Sequence, residues 1–439
     1  MKTALYAGAA FALLALPAQA AQFQFWHALG AAPGEALAAQ CERFNAAQSE
    51  HQVECVFQGT YDDLFQKAIA AYRANQHPAL VQFFDAGTLD LLLSDAVVPV
   101  TQIAADAGQT VDWTNYIAGA RSYYTSKGGD LFGQPYNSST LVFYTNDDKL
   151  AAAGITTSPQ TWEEVAAAAE ALAAAGEACP FTVDLNPWRL LEQFSAVHGV
   201  PIASNGNGFD GLDAEYVFNQ GPNVKFITDL AAWHEAGLVK LAEETTAGNF
   251  SAAFNADECA MMINSTGGFT DTAKALTGVA KFSVHLLPVY DGTTRHNTFV
   301  GGAALYAMKG FDADVYAGVA AYLDFVRQPE EQLQLVAGSG YLPVTETAVQ
   351  AIVDGGLADQ PDRAIVAQLG VDSLSFAGNE NTRGVRLGFY VQFRNIYTEE
   401  VTQVFSGDKT AQEALDAAKA RGDELLRRFE ATYAGVEMP

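Results

Sequence analysis

The chain has 439 residues, 51 of them acidic and 24 Lys or Arg, giving a formal charge of −27 at pH 7. Such a field repels nucleic acid and anionic membrane surfaces at long range and suits a soluble, monomeric protein. So long a chain exceeds what one hydrophobic core supports, and two large lobes are the simplest arrangement.

Residues 1–20 carry one cation, Lys2, then a short apolar run ending in Ala18-Gln19-Ala20. This is the pattern of a secretory signal with an A-x-A cleavage site, too short for a membrane span, and it predicts export to the periplasm. Q-F-Q-F-W at 22–26 alternates as a strand, and residues 32–48 repeat apolar side chains at helical spacing. Strand V-E-C-V-F, helix D-D-L-F-Q-K-A-I-A-A-Y-R-A and the apolar run A-L-V-Q-F-F complete a β-α-β-α-β alternation. That order predicts a parallel sheet with helices on both faces.

A second α/β unit follows the strand-like L-V-F-Y-T-N, with a capping box at Thr161-x-x-Glu164 opening an Ala-rich helix. C-A-M-M-I-N at 259–264 and F-S-V-H-L-L-P at 282–288 read as further strands, and Thr410-x-x-Glu413 caps the last helix. In an oxidising compartment the four cysteines predict the bridges Cys41–Cys55 and Cys179–Cys259, with four buried thiols as the alternative.

The sequence holds no H-E-x-x-H, no G-x-S-x-G and no P-loop G-K-[ST]. One G-x-G-x-x-G spans Gly206 to Gly211, but in a polar turn rather than between strand and helix. The overlapping Asn207-to-Asp213 stretch resembles a fragment of a calcium loop without its twelve-residue ligand pattern, so a plain turn is expected, with no metal and no cofactor. What remains are small-polar and aromatic segments at strand ends, around Tyr61, Asp85, Ser139, Ser265, Gly302 and Tyr341. Free backbone N–H groups and hydroxyls at such ends suit anions and sugars.

F-W-H at 25–27, R-F-N-A, Q-P-Y-N-S-S-T, N-G-F-D-G, G-G-A-A-L-Y-A-M, S-G-Y-L-P-V, R-G-V-R-L-G and the terminal L-L-R-R-F-E occur in an order and spacing specific to one family. The mature chain resembles the periplasmic binding proteins of ABC importers for sn-glycerol-3-phosphate and glycerophosphodiesters, within extracellular solute-binding protein family 1. The resemblance implies an α/β fold of two lobes with a ligand cleft between them and three hinge crossings. The lobes are expected at 21–136 with about 300–344, and at 137–299 with about 345–439. It also implies an ABC permease as partner, no catalysis, and closure of the lobes on ligand.

Carried over position by position, the implied ligand contacts are Tyr61; Asp85, where the family usually has Glu; Ser139, Ser265, Gly302, Tyr341 and Trp188. Helix capping is the alternative for Asp85, turn capping for the two serines, and plain core packing for Trp188. Arg386 is assigned the phosphate, as a bidentate guanidinium between glycines, while Arg383 has no assigned role. Leu185 stands where the family has a second tryptophan, and a cleft widened there favours glycerophosphocholine over glycerol-3-phosphate. A binding protein for a neutral oligosaccharide or other polyol, and a secreted hydrolase, are the rival readings.

Overall fold

The computed structural model describes residues 21–436 and Met438; the predicted signal segment 1–20 lies outside them. The strands in chain order are β1 (Ala21–His27), β2 (His51–Phe57), β3 (Leu80–Phe84), β4 (Val97–Val98), β5 (Gly133–Ser139) and β6 (Leu141–Asn146). They are followed by β7 (Phe181–Val183), β8 (Val239–Leu241), β9 (Met261–Ser265), β10 (Phe282–Leu286) and β11 (Gly301–Met308). They form two sheets, one for each lobe. The first runs β2-β1-β3-β11-β4, with β5 also paired to β11, and the second runs β10-β6-β9-β7-β8.

The sheets are mixed rather than parallel throughout. β1 is parallel to β2 and β3, and β7 to β8 and β9, as the β-α-β alternation predicts. β11 is antiparallel to β3, β4 and β5, and β6 to β9 and β10. The cause is connectivity. β6 follows β5 after the single residue Thr140 and enters the other sheet, and β11 returns from β10 of the other lobe. Neither is fed by the helical crossover that sets parallel order.

The C-terminal third covers both sheets. Helix Ala313–Arg327 packs on β1 and β2, and helix Pro329–Gly338 on helix Ala31–Ala47. Helix Pro361–Ser375 leans on β10, and helices Tyr390–Phe405 and Ala411–Thr432 pack on each other and on helix Pro222–Glu235.

Both predicted capping boxes form. Thr161 and Glu164, and Thr410 and Glu413, exchange side-chain-to-backbone hydrogen bonds, as Thr60 and Asp63 do at helix Tyr61–Arg73. Both disulfides are also present, Cys41–Cys55 joining helix Ala31–Ala47 to β2 and Cys179–Cys259 joining the entries to β7 and β9.

His198 is a buried neutral histidine in the second lobe. Its Nδ1–H donates to Phe194 O at 2.7 Å, its Nε2 accepts from the Tyr290 backbone N–H at 3.1 Å, and burial lowers its pKa to about 4. Between pH 6.5 and 4 the unfolded chain therefore takes up a proton that the folded chain refuses, and the stability this histidine contributes falls as pH falls. His198→Gln is expected to destabilise most at pH 7, with the difference from wild type narrowing toward pH 4.5 in urea melts. A gap independent of pH would contradict the neutral, acceptor role of Nε2.

Candidate ligand-binding cleft between the lobes

β3 ends at Phe84, and the chain turns into the short 3₁₀ segment Asp85–Gly87. Asp85 is buried and does not cap this turn; its Oδ1 accepts from Arg394 Nη2 at 3.0 Å. Helix Tyr61–Arg73 starts with Tyr61, whose ring stacks on Phe84 at 5.4 Å and whose hydroxyl accepts from Asn137 Nδ2 at 2.7 Å. Burial pushes the Tyr61 and Tyr341 phenols up, so both stay neutral donors.

Ser139 ends β5 at the crossover, and its hydroxyl makes no hydrogen bond among the described residues. Ser265 ends β9, and its Oγ accepts from Gly267 N at 3.0 Å, the turn-capping alternative realised while the residue still faces the cavity. Gly302, at φ +102°, lies so close to Asn137 that an added Cβ would sit 1.9 Å from its carbonyl oxygen. Glycine is required there by the backbone.

These residues, with Trp188 and Tyr341, line one cavity of about 240 Å³. Sequence reasoning missed four further lining residues: Phe84, Asn186, Arg189 and Arg394. Arg394, on helix Tyr390–Phe405, is the cationic fork of the cleft. Its Nε and Nη2 donate to Glu192 Oε1 and Oε2 at 2.8 and 2.7 Å, and Nη2 also reaches Asp85. Its Nη1 makes no hydrogen bond among the described residues. Burial pushes the Asp85 carboxyl up to about 6 against the pull of Arg394, and Glu192 adds to the rise.

Arg189 Nη1 pairs with Asp184 at 3.0 and 2.9 Å, Nη2 donates to Asn264 Oδ1 at 3.3 Å, and the guanidinium lies 4.5 Å over Phe250. Trp188 Nε1 is buried with no hydrogen-bond partner among the described residues, and the neighbouring Gly301 leaves room for the indole, since a Cβ there would sit 2.4 Å from it.

The profile of the bacterial extracellular solute-binding proteins matches residues 39–364. The chain belongs to that family. It is 36% identical to the sn-glycerol-3-phosphate-binding periplasmic protein UgpB of Salmonella typhimurium, over 97% of this chain and 95% of that one. It is also 36% identical to the protein of that name from Yersinia enterocolitica, over 98% of each. UgpB from Mycobacterium tuberculosis, solved in complex with glycerophosphocholine, matches with TM-score 0.77 at 20% identity, covering 92% of this chain and 98% of that one. The GacH receptor of Streptomyces glaucescens matches with TM-score 0.78 at 16% identity, covering 93% and 99%. At these identities the structural likeness is one of fold.

In this solute-binding protein two of the expected contacts lie elsewhere. Arg386 does not line the cleft. It is 3% exposed, its Nη2 donates to the Tyr123 and Thr125 carbonyls at 3.0 Å each, and it faces a different cavity. The glycines around it give clearance to protein: a Cβ at Gly384 would meet the Tyr123 ring at 2.4 Å, and one at Gly388 the Phe429 ring at 2.0 Å. Leu185 is buried, its carbonyl accepting from Thr398 Oγ1, and its side chain is not among the residues that line the cleft.

A signal for Arg394 is nevertheless present in the sequence. Tyr390, Val391, Phe393, Tyr397 and Val401 form the buried stripe of their helix, and Arg394 falls on it by spacing. A cation on an apolar stripe demands partners. The calcium-like turn is spent on folding: Asn207 Oδ1 accepts from Ile202 N and Ala203 N, and its Nδ2 donates to Asn381 O and Gly384 O.

Proposed function

We propose that this chain is the periplasmic substrate-binding component of an ABC importer, capturing glycerophosphodiesters, glycerophosphocholine above all, and sn-glycerol-3-phosphate more weakly, and delivering them to the permease. The observation that carries the reading is Arg394, a guanidinium with a free Nη1, set among the Tyr61, Ser139, Ser265 and Tyr341 hydroxyls in one interlobe cavity. A phosphate takes its charge-assisted bonds from the arginine, and the hydroxyls complete the oxygens. The relatives named for sn-glycerol-3-phosphate and the Mycobacterium tuberculosis complex with glycerophosphocholine support the same ligand class.

The charge around the cleft favours the diester. Two guanidiniums, Arg189 and Arg394, face three carboxylates, Asp85, Glu192 and Asp184. A dianionic monoester meets that acidic excess at greater cost than a zwitterion, whose ammonium finds the faces of Trp188, Tyr61 and Tyr341. Capture proceeds without catalysis in this reading, since among the described residues neither the Ser139 nor the Ser265 hydroxyl hydrogen-bonds to a basic side chain. Ligand contacts drawn from both lobes favour the closed arrangement that the permease reads.

Calorimetric titration tests this. Glycerophosphocholine is expected to bind more tightly than sn-glycerol-3-phosphate, and maltose not at all. Binding of maltose with silence toward both phosphates would replace this reading with the oligosaccharide one.

A further inference from the structure

A second cavity, of about 450 Å³, lies between helix Ala118–Tyr124 with its following turn and the segments around Phe209 and Arg383. It shares no lining residue with the ligand cleft. Four cations line it, Arg121, Lys127, Arg383 and Arg386, against one carboxylate, Asp210. In a chain of charge −27 this is a local reversal of sign. Asp130, in the same turn as Lys127, takes the Thr101 hydroxyl instead.

Arg386 is the centre of the cluster. It is 3% exposed and has no carboxylate partner; two backbone carbonyls take Nη2, while Nε and Nη1 make no hydrogen bond among the described residues. Its guanidinium lies 4.4 Å over the Phe209 ring, and that of Arg383 lies 5.0 Å over the same ring. Burial first, and the charge of Arg383 in addition, lower its pKa to about 10. Among the described residues the pair makes one ion pair, Arg383 with Asp210 at 3.4 Å. A buried guanidinium with spare donors beside a second cation is left uncompensated by the protein, and an oxyanion supplies both the charge and the acceptors.

We propose that this cavity is a second anion site, which takes a small multivalent oxyanion, either free phosphate or the phosphate group of a small monoester. Its walls come from both sides of the seam. Arg121 and Lys127 belong to the segment that packs on β5, whereas Arg386 is docked through its backbone N–H on Asn207 O, in the turn between β7 and β8. A bound anion thus bridges the two lobes away from the cleft.

Trp113 lines this cavity and Trp188 lines the cleft, so the full chain labelled with 5-fluorotryptophan reports on both sites separately by ¹⁹F NMR. With inorganic phosphate at constant ionic strength, the Trp113 line, assigned by Trp113→Phe, is expected to shift and saturate. Lys127→Gln combined with Arg383→Gln, both exposed positions, is expected to weaken the apparent affinity by roughly tenfold. A parallel titration with a small-alcohol phosphomonoester identifies the source: the tighter of the two anions is the occupant. A Trp113 line that stays still, that moves equally with chloride, or that responds unchanged in the double variant overturns the proposal. The test does not depend on what the cleft binds.

Discussion

Arg394→Met is expected to weaken glycerophosphocholine binding by roughly 30-fold to several thousand-fold, the range for truncating one member of a buried, hydrogen-bonded charge pair of about 2–5 kcal/mol. The same substitution strands Asp85 and Glu192, 4% and 2% exposed, without their shared cation. That costs the fold about 3–5 kcal/mol in its own right. Arg394→Lys separates the two effects: an ammonium still neutralises the carboxylates but cannot offer the parallel donors of a fork. It is expected to fold with near-normal stability and to lose at least about tenfold in affinity. Arg386→Gln, by contrast, removes no cleft contact and leaves cleft affinity within about twofold, while lowering the melting temperature because two buried carbonyls lose their donor. Unchanged affinity in Arg394→Lys, or a greater loss in Arg386→Gln, would return the phosphate to Arg386.

Removing the Cys179–Cys259 disulfide, as Cys179→Ala with Cys259→Ala, is expected to cost about 4.5 kcal/mol, because it spans 80 residues and restrains the unfolded chain over that whole loop. The bridge between Cys41 and Cys55 spans 14 residues, and its removal costs about 3 kcal/mol by the same entropy. Urea melts of the two double variants should therefore rank in that order. The short bridge proving the more stabilising would show that local geometry, not loop closure, dominates.

The two bridges differ in how readily the sequence exposes them. Cys41 and Cys55 lie on a helix and the strand after it, so their pairing follows from local order. Cys179 and Cys259 meet because β7 and β9 are neighbours in the second sheet, a fact of topology. The sheets divide the same way. The parallel pairs were legible from alternating strands and helices, but the antiparallel β6 and β11 depend on where the chain crosses between lobes, and no local periodicity encodes a crossing.

The cleft repeats the division with more at stake. Strand ends with small polar and aromatic residues pointed to Tyr61, Asp85, Ser139, Ser265, Gly302 and Tyr341, which share one cavity with Trp188. Asp85, Ser139 and Ser265 sit where strands stop, Tyr61 opens the helix after β2, Gly302 lies where β11 starts, and Tyr341 follows helix Pro329–Gly338; strand ends of an open α/β sheet converge on the crevice. The arginine was different. Arg383, Arg386 and Arg394 all lie near the same aromatic run, and glycines beside Arg386 looked like room for a ligand. In the fold those glycines make room for Tyr123 and Phe429, and the rotation of helix Tyr390–Phe405 turns Arg394 toward Glu192 and Asp85, residues 202 and 309 positions away in sequence.

By itself, then, the sequence determined the elements, their caps, the short disulfide and the strand-end half of the cleft, because each is set by interactions within a turn or two of chain. Which guanidinium faces the cleft, and which faces a basic cavity of its own, was decided only by tertiary packing. A buried charge goes where distant carboxylates or carbonyls can satisfy it, and those partners are brought together by the sheet order and the crossings.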